Sequence, residues 1–137
     1  MNRRSFITAS AAMALMPGLA NAFVGADYKT GLVKKHLAAG DTVFIDFYTE
    51  WCSTCASQGR TIEALLKANP AYQENITFIK VDWDKHSRSA LSRQLAIPRR
   101  STLVVLRGDE ELGRIVAGTQ KAKIKALLDT ALTAATS

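Results

Sequence analysis

Thr42-Val43-Phe44-Ile45-Asp46-Phe47-Tyr48-Thr49-Glu50-Trp51-Cys52-Ser53-Thr54-Cys55 is the stretch on which the fold turns. Residues 42–48 are rich in β-branched and aromatic side chains and apolar on both faces, the pattern of a strand covered on both sides of its sheet. One charge, Asp46, interrupts it. Beyond the strand, residues 53–68 place Ile62, Leu65 and Leu66 at helical spacing and stop at Asn69-Pro70. Gly59 lies inside this helix, a weak point of up to about 1 kcal/mol against Ala and a candidate kink. The chain's two cysteines therefore fall at a strand-to-helix junction, Cys52 before the helix and Cys55 one turn into it.

Working outward, residues 30–37 group Leu32, Val33, His36 and Leu37 on one helical face, closed by Gly40. Residues 76–82 read as a second buried strand, 87–95 as a short helix, and 102–106 as a third strand. Gly108-Asp109 reads as a hairpin turn into a fourth strand over 112–117. A last helix carries Ile124, Leu127, Leu128, Ala131 and Leu132 in an i, i+3, i+4, i+7, i+8 pattern. The order α-β-α-β-α-β-β-α predicts an α/β domain, with a four-stranded mixed sheet flanked by helices.

The junction is where chemistry is expected. Backbone N–H groups in the first turn of a helix lack partners and carry partial positive charge, so a thiolate at Cys52 is favoured there. Cys55 lies three residues on, over the same face, within disulfide reach and deeper in the fold. An exposed Cys52 can attack a disulfide, and Cys55 can then resolve the mixed disulfide. A structural staple makes less sense, because a four-residue loop is worth only about 2 kcal/mol against nearly 5 for about 100 residues. Zinc needs about four ligands, and His36 and His86 fall in other helices.

With those residues in view, the segment from Phe44 to Cys55 resembles the active-site strand and Trp-Cys-x-x-Cys of the thioredoxin family, and the likeness runs over nearly all of residues 23–137. It is especially similar to the C-terminal domain of the membrane thiol:disulfide interchange reductase. The resemblance implies a thioredoxin fold and a thiol–disulfide oxidoreductase, with Cys52 as nucleophile, Cys55 as resolving thiol and Asp46 as proton acceptor. It also implies Lys80 as partner to Asp46, and Trp51, Ser53 and Thr54 as residues that tune the redox pair. The only cofactor implied is the redox-active Cys52–Cys55 disulfide itself, with no metal.

Departures from the family are equally specific. Ser53-Thr54 replaces the usual Gly-Pro, and Arg60 stands where a kinking proline is usual. The family's cis-proline position falls on Ser101, with Pro98 three residues too early. A cis bond before a non-proline residue costs roughly 2.5–4 kcal/mol, so the Arg100–Ser101 peptide is expected to be trans. Arg100, Ser101 and Thr102 are the expected substrate-binding ledge, and their added donors are expected to lower the Cys52 pKa. Loss of the cis-proline keeps a metal- or iron–sulfur-binding carrier open as an alternative, and a disulfide-donating oxidase is the other.

Composition and the N-terminus bound the setting. The chain has 137 residues, 47% of them hydrophobic, and a formal charge of +6. Residues 1–22 read as an export signal: basic Arg3-Arg4, an apolar stretch over 6–16, Pro17-Gly18, and the small-x-small site Ala20-Asn21-Ala22. Asn2-Arg3-Arg4-Ser5-Phe6-Ile7 resembles the twin-arginine motif, an ordinary secretory signal being the alternative. Removing it leaves one domain, 23–137, with scattered charges and no basic block suited to nucleic acid. The expectation is a periplasmic monomer acting on protein disulfides, apocytochrome c among them. Its electrons would come from a membrane thiol donor, since no nicotinamide or flavin motif is present.

Overall fold

A computed structural model describes residues 25–137; the export-signal expectation for residues 1–22 lies outside them. The elements are β1 (Ala26–Asp27), α1 (Leu32–Ala38), β2 (Thr42–Tyr48), α2 (Ser53–Ala68), α3 (Ala71–Asn75), β3 (Thr77–Asp82), α4 (Trp83–His86), α5 (Ala90–Gln94), β4 (Thr102–Arg107), β5 (Glu110–Val116) and α6 (Lys121–Thr136). The sheet order is β1-β3-β2-β4-β5. β3 runs parallel to β2 and β1, while β4 runs antiparallel to β2 and β5 to β4.

The expected four strands are five. β1 has two residues and pairs only through Ala26↔Ile79 and Asp27↔Lys80, too short to leave an alternating pattern. The helix expected over 87–95 is present as the shorter α5, and a further one-turn helix, α4, precedes it directly after β3. Asp82 accepts from the Asp84 N–H and starts α4, and Ser89 accepts from the Ser92 N–H and starts α5. Helix α3, not anticipated, restarts directly after Asn69 with Pro70 at its N-cap. The chain stop read at Asn69-Pro70 is thus a hinge between two helices.

β2 is central and its first six residues are buried, as a doubly covered strand requires. Alternate side chains feed two cores. Phe44 packs with Ile62, Leu65 and Leu66 of α2, Tyr72 of α3 and Ile124, Leu127 and Leu128 of α6. Val43, Ile45 and Phe47 face the other way, against Val33, Ile79, Val81 and Ile97. Asp46 shares the period of Phe44, so its carboxylate is committed to the α2 side, where the cysteines lie.

Candidate functional site

β2 ends at Tyr48 and α2 begins at Ser53, so Cys52 becomes the helix N-cap. Its backbone is extended, with φ −88° and ψ 116°, and its sulfur accepts the Cys55 N–H at 3.2 Å. A thiol here occupies the position that Ser, Thr or Asp usually fills, and a thiolate serves as acceptor better than a thiol. Both cysteines are free thiols.

The loop before β4 closes over this turn. Its Arg100–Ser101 peptide is trans, like every peptide bond among the described residues. Ser101, fully buried, brings its hydroxyl to 2.9 Å from Cys55 Sγ and 3.3 Å from Cys52 Sγ. One oxygen therefore reaches both sulfurs. The residue has φ +62°, a left-handed conformation that costs a non-glycine residue on the order of 1–3 kcal/mol. Its backbone is pinned by three partners: Ser101 N–H donates to Phe47 O at 2.7 Å, and its carbonyl accepts from Ala117 N at 2.8 Å and from the Gln58 side-chain Nε2 at 2.9 Å.

These contacts separate the two thiols. Burial disfavours a Cys52 thiolate, but the neighbouring Cys55 thiol, hydrogen bonds from the Ser101 hydroxyl and the Cys55 N–H, and Arg100 outweigh it and lower its pKa to about 6. Burial, with Cys52 beside it, pushes the Cys55 thiol upward. Cys52 is the thiolate at neutral pH and Cys55 the thiol. The expectation of an open Cys52 above a buried Cys55 needs correction, since both residues are 5% exposed. The Ser101 loop packs against both sulfurs, and the asymmetry is one of charge.

Asp46 is 3% exposed, and its Oδ1 has no hydrogen-bond partner. Burial raises its pKa to about 7, opposed by the Lys80 charge and reinforced by Cys52. Asp46 and Lys80 are direct neighbours across β2 and β3, yet no ion pair within 4.0 Å joins them. The Lys80 ammonium sits instead 4.8 Å from the centre of the Tyr48 ring. Asp46 and Cys55 line one cleft of about 370 Å³, along with Thr49, Arg60, Glu63 and Lys80.

Trp51 is 63% exposed beside Cys52. Its indole N–H donates to Asp84 at 2.8 Å, and the Arg100 guanidinium stacks 4.3 Å from its ring centre. Arg100 thus belongs to the rim of the site. Ser53 and Thr54 form the first turn of α2. The client-facing role expected for Ser101 and Thr102 does not fit their burial, as neither has any exposed surface; the Thr102 hydroxyl donates to Arg99 O at 2.7 Å. Ser101 serves the sulfurs instead. Gln58 and Asp84 are site residues that sequence reasoning missed. Gln58 reads in sequence as one polar residue within an amphipathic helix, and no local signal reveals what it touches. Among the described residues no group of three His, Cys, Asp or Glu converges as a metal site. His36 pairs with Asp41, and His86 meets the Tyr28 ring.

A thiolate at a helix N-terminus, a second thiol one turn on and a buried carboxyl behind them define a dithiol–disulfide exchange protein on a mixed five-stranded sheet. Comparison with known proteins agrees. The thioredoxin family model, described as Thioredoxin, matches residues 23–130. Thioredoxin H2-1 of Oryza sativa subsp. japonica is 33% identical over 88 residues, which span 64% of this chain and 59% of that protein. A thioredoxin of Chlamydia trachomatis is 33% identical over 78 residues, 57% of this chain and 71% of that one. Among solved structures, Trxlp from Edwardsiella tarda superposes with a TM-score of 0.64 at 30% identity, covering 75% of this chain and 98% of its own. The Malassezia sympodialis thioredoxin shares the fold at a TM-score of 0.62 and 23% identity, covering 80% of this chain and 95% of its own. The chain belongs to the thioredoxin family, whose members are thiol–disulfide oxidoreductases, and it carries that family's cysteine pair as Cys52 and Cys55.

Proposed function

We propose that this protein reduces protein disulfides in the periplasm. The observation that carries the reading is the Cys52 sulfur at the α2 N-cap, taking the Cys55 N–H at 3.2 Å and the Ser101 hydroxyl at 3.3 Å. The Cys52 thiolate attacks a client disulfide, forming a mixed disulfide and releasing one client thiolate. Cys55 then loses its proton through the shared cleft to the Asp46 carboxylate and attacks the Cys52 sulfur. The second client thiolate leaves, and the protein is left oxidised at Cys52–Cys55. Atoms balance, and the two electrons gained by the client come from the dithiol.

The direction is supported by chemistry. A Cys52 pKa of about 6 lies nearer the ≈ 7 of reducing dithiols than the ≈ 3.5 of the strongest oxidants. Trp51 and the Asp46/Lys80 neighbours also resemble the reducing branch of the family. Export rests on residues 1–22, and twin-arginine export would deliver the domain already folded. Electrons would then reach Cys52–Cys55 from a membrane thiol donor, for clients that include apocytochrome c. A disulfide-donating oxidase is the rival reading, supported by the donors gathered on Cys52; the equilibrium potential in glutathione buffers separates the two.

The deciding assay is insulin reduction with dithiothreitol as donor. Cys52→Ser is expected to be inactive, and Cys55→Ser to accumulate a mixed disulfide. Inactive wild-type protein, with both variants indistinguishable from it, would remove the reading.

A further inference from the structure

Gln58 is fully buried in α2, three residues beyond Cys55 and on the same face. Its amide nitrogen donates to Ser101 O and to Gly118 O, each at 2.9 Å. Its amide oxygen is buried with no partner. With two carbonyl oxygens on one side, only the NH₂ end can face them, so the orientation of the amide is fixed. An apolar side chain of the same length would fill this place without burying an unsatisfied amide oxygen of its own. The polar residue is therefore tolerated for what its donors hold.

What they hold is the loop that bears the bridging hydroxyl. The other backbone partners of Ser101, Phe47 and Ala117, tie it to the sheet side: Phe47 lies in β2 and Ala117 directly follows β5. Gln58 alone of these ties it to α2, the helix whose first turn carries the cysteines.

We infer that Gln58 is a positioning residue for the dithiol, coupling α2 to the Ser101 loop so that the Ser101 hydroxyl stays in reach of both sulfurs. The hydroxyl then completes a chain in which the Cys55 thiol donates to Ser101 Oγ and Ser101 O–H donates to the Cys52 thiolate. The exchange reading gives this device its purpose, but the device itself is tested without any client.

The experiment is a pH titration of thiolate absorbance near 240 nm on the reduced protein, with the oxidised protein as blank, for wild type, S101A, Q58M and the double variant. Each variant's near-ultraviolet circular dichroism is compared with wild type. The S101A midpoint is expected to rise by about one unit. Q58M should rise by at least half as much, and the double variant no further than S101A. Loss of stability in Q58M does not count in its favour, since packing alone would produce it. A Q58M midpoint equal to wild type, an S101A midpoint equal to wild type, or full additivity in the double variant would each overturn the inference. If Q58M does not fold, Q58L takes its place under the same readings, since it removes the donors without adding a charge beside the thiols. Failed insulin reduction alongside the expected titrations would count against the exchange reading and leave this one standing.

Discussion

Asp46 places a carboxyl in an apolar layer, between Phe44 and the cleft behind Cys55, and the fold leaves one of its oxygens unpartnered. Burial raises its pKa from 3.8 to about 7. The native state therefore holds a proton that the unfolded chain has released, and stability falls as pH rises from about 4 to about 7. An amide of the same shape escapes this penalty. Asp46→Asn is expected to stabilise the protein at pH 8 by roughly 2–4 kcal/mol, an effect that fades toward pH 4. Urea denaturation at the two pH values measures it. The same substitution should slow the release of client from a preformed mixed disulfide, because the proposed mechanism hands the Cys55 proton to Asp46. Unchanged release in stopped-flow traces would take Asp46 out of the mechanism.

Helix α2 unites the two jobs of the fold, burying Ile62, Leu65 and Leu66 while presenting Cys52, Cys55 and Gln58. It runs unbroken through Gly59, and a Cβ built there meets nothing within 4 Å. Gly59→Ala should therefore stabilise by about 0.5–1 kcal/mol, raising Tm by roughly 2–6 °C in thermal denaturation. A fall in Tm would mean that the glycine serves the cleft it lines rather than the helix. Elements of this length were legible because their periodicity repeats: β2, α2, β4 and α6 all lie close to where the sequence puts them. The two-residue β1, and the short α3 and α4, were not. Such short pieces are fixed by one or two side-chain caps and by pairing with a distant strand, which no local pattern records. The site divided in the same way. Cys52, Cys55 and Asp46 are neighbours in sequence around one junction, whereas Gln58 meets Ser101 across 43 residues through the hydrogen bonds of a loop with φ +62°.

At the scale of the whole molecule, the thiols and the carboxyl make opposite demands on folding, and pH separates them. A Cys52 pKa lowered from 9.0 to about 6 means that the unfolded chain binds the proton more tightly between those values, so reduced-state stability rises with pH there. The upward shift of Cys55 reverses the sign once the unfolded thiol ionises, near pH 9. Asp46 lowers stability up to about pH 7 and adds no slope above it. The oxidised protein has no thiols to titrate and keeps mainly the Asp46 slope. The stability of reduced minus oxidised protein should therefore climb from about pH 6, level off near pH 9, and span a few kcal/mol. By linkage the disulfide becomes easier to reduce, at pH-corrected potential, by about 30 mV for each 1.4 kcal/mol gained by the reduced fold. Parallel denaturation curves of the two forms at pH 5.5, 7 and 8.5 test this directly. A difference that does not change with pH would mean that the fold does not hold Cys52 as a thiolate, and that the donors around its sulfur act on the thiol alone.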